Sequence, residues 1–159
     1  MDQPTTIEIR IKGDELDVKR AVLKAMARID RDTRGFDASN YVFGDGSDFE
    51  EQMKKTLCVL GNYRIHPIEN SQIEFKSVQE SYGCDSDSDI KGIADAMIGV
   101  SPNVEFHIAA TITADAFDGY DTYVDINYLN GELKCDVKEY HFDDEFDDED
   151  EDEDEEYCV

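Results

Sequence analysis

The chain has 159 residues, of which 40% are hydrophobic, enough to cover one compact core. Forty Asp and Glu stand against 15 Lys and Arg, a formal charge of −25 and a pI near 4.1, so the surface as a whole repels nucleic acid and anionic membranes. No apolar run approaches the roughly 20 residues of a bilayer-spanning helix, and residues 1–6 lack a cationic patch followed by an apolar stretch, which together predict a cytoplasmic protein.

In residues 5–12, Ile7, Ile9 and Ile11 alternate with Glu8, Arg10 and Lys12, the pattern of a half-buried strand, and Gly13 is expected to end it. Asp14 is placed to cap a helix running to about Asp30, in which Leu16, Val22, Leu23, Met26, Ala27 and Ile29 recur at helical spacing. Gly35, Gly44 and Gly46 interrupt the next stretch, where Tyr41, Val42 and Phe43 fit a short strand. Ser47 and Glu50 form a capping-box pattern around Phe49, Met53, Leu57 and Leu60, a helical apolar face that stops at Gly61. Residues 63–68 and 72–81 read as a hairpin joined at 69–71, with Ile73 and Phe75 pointing one way.

Asp85, Asp87 and Asp89 precede Ile90, Ile93, Ala94, Met97 and Ile98, so acids lie where the dipole of a third helix favours them. After Gly99 and Pro102, Val104, Phe106, Ile108, Ala110 and Ile112 alternate with Glu105, His107, Ala109, Thr111 and Thr113 in a long strand. Two further strands flank Asn130-Gly131, the strongest hairpin signal in the chain. The order predicts an α+β fold: a largely antiparallel sheet with two to three helices on one face, the other face wet, and a ferredoxin-like arrangement fitting part of it. Residues 1–142 form this acidic domain. Residues 143–156 hold 13 acids and one Phe, and no base follows Lys138, so 143–159 are expected to be a disordered acidic C-terminal tail. Without those 13 acids, 27 remain against 15 bases, and the domain still carries −12.

Motifs for chemistry are wanting. The run from Asp85 to Asp89 has the opening spacing of a calcium loop, but such a loop needs Gly at its sixth place and Glu at its twelfth, where this chain has Ile90 and Ala96, so no metal is assigned. His66, His107 and His141 fall on different strands without a Cys or Ser at nucleophile-and-base spacing. Gly44-x-Gly46 lacks the third glycine and the lysine of a phosphate loop, and Cys58, Cys84, Cys135 and Cys158 form no Cys-x-x-Cys pair. Neither a cofactor nor enzymatic activity is expected.

The acids carry more information. Outward strand positions hold Glu8, Glu74, Glu105, Asp125 and Asp136, and loops add Asp115, Asp118 and Asp121, which predicts an acidic wet face. Proteins that handle nucleic acid bind phosphates through arrays of Lys and Arg, and spaced carboxylates on a folded scaffold compete for those arrays. Phe117, Tyr120, Tyr123 and Tyr128 lie among the acids as candidate aromatic anchors. The candidate partner-binding set is Glu105, Asp115, Asp118, Asp121, Tyr123, Asp125 and Asp136, with Asp143, Asp144 and Glu145 at the start of the tail.

In size, pI and lack of catalytic motifs, the chain resembles the small acidic proteins of phages and mobile elements that block restriction enzymes or CRISPR effectors. That resemblance implies a non-enzymatic inhibitor, a mimic of nucleic acid that binds a basic nucleic-acid-binding protein by charge complementarity and touches neither nucleic acid nor membrane itself. The same acidity fits an immunity protein neutralising a cationic nuclease toxin, or an acidic chaperone for basic proteins with the tail as its working part.

Overall fold

Alternation turns Ile7, Ile9 and Ile11 to one side of strand β1 (Thr5–Asp14), and all three are at most 2% exposed. The computed structural model describes residues 4–29, 49, 51, 53, 63–81, 83–113 and 119–141. After β1 come α1 (Glu15–Ile29), β2 (Tyr63–Pro67), β3 (Gln72–Ser81), α2 (Asp87–Val100), β4 (Glu105–Ile112), β5 (Tyr120–Leu129) and β6 (Glu132–His141). The six strands form one open, wholly antiparallel sheet in the order β2-β3-β1-β4-β5-β6, so the fold is α+β. No described helix is long and apolar enough to cross a membrane.

One face of the sheet is dry. Ile7, Ile9 and Ile11 align with Ile108 and Phe106 of β4 and with Phe75 of β3, while Val124 and Ile126 of β5 extend the same apolar layer. Val18, Ala21, Val22, Leu23, Ala25, Met26 and Ile29 of α1 and Ile90, Ile93, Ala94 and Met97 of α2 close over it. Phe49, Glu51 and Met53 are helical, and Phe49 and Met53 are buried in the same core. Leu57, Leu60 and the short strand expected at 41–43 lie outside the described residues.

Local chemistry fixes the helix ends. Ser86 is the N-cap of α2, its hydroxyl accepting from the Asp89 N–H at 3.3 Å, while the Asp89 carboxylate accepts from the Asp85 N–H and the Ser86 hydroxyl, both at 3.1 Å. The acidic run therefore serves as a cap. At the other end of α2, the Ser101 hydroxyl donates to the Asp17 carbonyl at 2.7 Å and ties the helix to the first turn of α1. The C-terminus of α1 is held by Ser81, whose hydroxyl donates to the Ile29 carbonyl at 2.7 Å and satisfies an acceptor the helix leaves free.

Two details differ from the sequence reading. β1 does not stop at Gly13 but runs on to Asp14, with Gly13 opposite Ile73 and Asp14 opposite Gln72. Gly13 has φ +156, and a side chain there would meet Val104 at 3.3 Å, so glycine is needed for the close passage of the 104 backbone rather than for a strand end. The Asp14 carboxylate accepts from Gln72 Nε2 at 3.4 Å, across the β1–β3 pair.

Among the described residues, the helical layer ends over β5. Val124, Ile126 and Tyr128 are at most 6% exposed, yet their partners on β6, Val137, Cys135 and Leu133, are all exposed. Asn130 and Gly131 join the two strands with φ values of 55 and 77, the left-handed pair of a type I′ hairpin turn.

Candidate functional site on the open face of the sheet

The face without helices carries Glu8, Glu74, Glu105, Asp121, Tyr123, Asp125 and Asp136, as the alternation requires. It is nevertheless a mixed face, with nine acids and six bases at outward strand positions. The same parity that turns Glu8 outward turns Arg10 and Lys12 outward, and Arg64, Lys76, Lys134 and Lys138 join them.

The register sorts these charges into bands. Across the six strands, Arg64, Lys76, Arg10, His107, Asn127 and Lys134 are successive cross-strand partners, a row with cations and no carboxylate. The row beside it reads Val78, Glu8, Ala109, Asp125 and Asp136. Like charges directly opposite one another destabilise a sheet, so both rows run against local preference. Attraction runs along the strands instead: Lys76 Nζ lies 3.7 Å from Glu74 and Lys138 Nζ 4.0 Å from Asp136, exposed pairs of small worth.

Asp125 is the most heavily contacted carboxylate of the second row. His107 Nε2 lies 2.6 Å from its Oδ1, and Asn127 Nδ2 donates to its Oδ2 at 3.0 Å. Asp136 stands opposite it on β6. Next to this pair a groove of about 430 Å³ opens between β1, β4 and the β5–β6 hairpin, lined by Arg10, Lys12, Glu105, His107, Asn127, Glu132 and Lys134. Beneath it, the rings of Phe106 and Tyr128 stack at 5.1 Å, and the Tyr128 hydroxyl donates to the Pro102 carbonyl at 2.7 Å.

Chemically the open face offers carboxylates, cations and imidazoles rather than a set of reactive groups brought together among the described residues. Two histidines already contact carboxylates, His107 with Asp125 and His141 with Glu139 at 3.2 Å. Among the described residues, no group of three or more His, Cys, Asp and Glu side chains is disposed to hold a metal ion.

Of the candidate partner-binding residues, Asp125 and Asp136 come together, Asp121 and Tyr123 lie farther along β5, and Glu105 sits in the groove across from Lys12. Tyr123 is 43% exposed and free to act as an anchor. Tyr128 is not: it points to the helix-covered face with Val124 and Ile126 because it shares their parity. Tyr120 is half-buried against the His141 ring, 5.0 Å between centroids. Asp115, Phe117, Asp118, Asp143, Asp144 and Glu145 lie outside the described residues. The cationic row escaped the sequence reading, although the two-residue turn at Asn130-Gly131 already sets Asn127 against Lys134 and Asp125 against Asp136. No protein-family model, curated protein or solved structure matches the chain.

Proposed function

We propose that this protein acts in the cytoplasm without chemistry of its own, binding a basic nucleic-acid-handling protein through carboxylates and keeping nucleic acid off it. The observation that carries this reading is the segregation of charge. The described residues hold 18 acids and 11 bases, a net −7, which leaves 22 of the 40 acids and 4 of the 15 bases, a net −18, to the rest of the chain. The strands themselves hold 10 acids and 6 bases, a net −4, and the surplus is densest in residues 143–156, which follow closely on β6 and its Asp136. Such a surplus steers a cationic partner and competes with phosphates for its Lys and Arg.

The working surface in this reading is the Asp125–Asp136 edge together with the carboxylates after β6, rather than the whole open face. That location also favours, as a second reading, an acidic chaperone for basic proteins, the alternative that leans most on the tail. For the fold, we read the β1-α1-β2-β3-α2-β4 unit, with its sheet order β2-β3-β1-β4, as ferredoxin-like and extended by the β5–β6 hairpin; Phe49, Glu51 and Met53 fit a third helix.

The test is competition. Immobilised full-length protein is loaded with cell lysate, and bound proteins are eluted with duplex DNA or with RNA at constant salt. A basic nucleic-acid-binding protein released by nucleic acid supports the reading, because one cationic surface cannot hold both. Retention of all bound proteins under excess nucleic acid removes it.

A further inference from the structure

We propose that two copies of this chain pair through their β6 strands, antiparallel and about a two-fold axis at Cys135, to make one continuous sheet. The two edges of the sheet differ. β2 is a short edge of five residues ending in Pro67, which limits pairing, whereas β6 presents ten residues and, among the described residues, no strand covers its outer side. Leu133 and Val137 on that strand are 43% and 38% exposed, on the side of the sheet where their β5 neighbours are buried.

The backbone is set for this pairing. A two-residue turn makes Leu129 and Glu132 exchange hydrogen bonds, so the even-numbered residues of β6 bond to β5. Leu133, Cys135 and Val137 therefore aim their N–H and C=O groups outward. Centred on Cys135, an antiparallel copy places Leu133 opposite Val137 and Cys135 opposite Cys135, all with outward-aimed backbone groups. On the open face the same register sets Glu132 against Lys138 and Lys134 against Asp136, twice each by symmetry.

Neighbouring registers fail. Centring on Asp136 puts Asp136 opposite itself and Lys134 opposite Lys138. Centring on Lys134 puts Lys134 opposite itself and Glu132 opposite Asp136. Centring on Val137 opposes Asp136 to Lys138 but sets Cys135 against Glu139 and Leu133 against His141. Charge and apolar character together are thus matched in the register centred on Cys135, and that identifies a second copy as the occupant. His141 lies six residues beyond Cys135, so in this register the two copies of His141 stand roughly 40 Å apart at about 3.3 Å per residue, several times the Debye length of about 8 Å at physiological salt.

Analytical ultracentrifugation of the full-length protein at micromolar concentration should give a dimer of twice 18.1 kDa. Lys134→Glu, which sets Glu against Asp136 at two places, should weaken dimerisation by about tenfold or more. Adding Asp136→Lys restores opposite charges and should restore the dimer. As an independent readout, a short bis-maleimide should link Cys135 to Cys135 in a C58S/C158S background and give no dimer band once Cys135→Ser is added. A monomer, an assembly larger than a dimer, a charge-swapped double variant no better than the single, or absence of the Cys135 link would each overturn the proposal.

Discussion

The two parts of the sheet are built on different terms. From β2 to β4, alternate side chains are sealed beneath α1 and α2, and Ile7, Ile11, Phe75 and Ile108 have no exposed surface. In the β5–β6 hairpin only β5 reaches the core, while every residue of β6 is exposed. The first region is held by apolar burial, and on its open face Arg10, Lys12, Arg64 and Lys76 offset the acids. The second adds Val124, Ile126 and Tyr128 of β5 to the core, and its outer strand contributes backbone pairing and charge alone. Under the proposed function, stability and recognition rest on different parts of the molecule, and substitutions can test how cleanly.

The largest effect belongs to the buried region. Phe75→Ala removes a ring at 0% exposure that stacks 5.7 Å from Tyr63, and the expected loss is about 3–5 kcal/mol. Calorimetry should show a Tm lower by roughly 10 °C or more. A smaller shift would mean that the neighbouring helices collapse into the space.

Deleting residues 143–159 attacks the other side of the comparison. Thermal unfolding should move by no more than a degree or two, whereas affinity for the partner should fall, and its dependence on sodium chloride should flatten, since 13 acids are gone. An unchanged salt dependence would return the recognition to the folded edge.

Ser86→Ala removes the hydroxyl that caps α2 and should lower stability by about 1 kcal/mol, measured by urea unfolding, with partner binding unaltered. The smallest effect is expected at Asp136→Asn. Relief of the facing Asp125–Asp136 pair should raise stability by a few tenths of a kcal/mol while weakening the partner, a change of opposite sign in the two assays. Loss of both would make Asp136 a structural residue.

Much of this division is legible in the sequence, and the part that is not has a definite cause. Strict alternation in β1 and β4, the Asn130-Gly131 turn and the acids before Ile90 are local signals, and the structure agrees with each of them. Tyr128 was also legible, since it stands two residues after the buried Ile126, although its acidic surroundings made it look like an anchor. The charge bands were not. They depend on β1 lying between β3 and β4, a long-range choice that aligns Arg10 with Lys76 on one side and His107 on the other. Reading acids alone, without the bases of equal parity, gave a face more negative than the folded sheet presents.

The central position of β1 also orders events in time. It precedes the other described strands in the chain, yet its neighbours are β3 and β4, so the middle of the sheet cannot be assembled until residue 112 has emerged from the ribosome. Pairing over such sequence separations is slow compared with the closing of a two-residue turn. The β5–β6 hairpin can therefore zip locally as soon as it appears, onto an edge of β4 that has only just found its place.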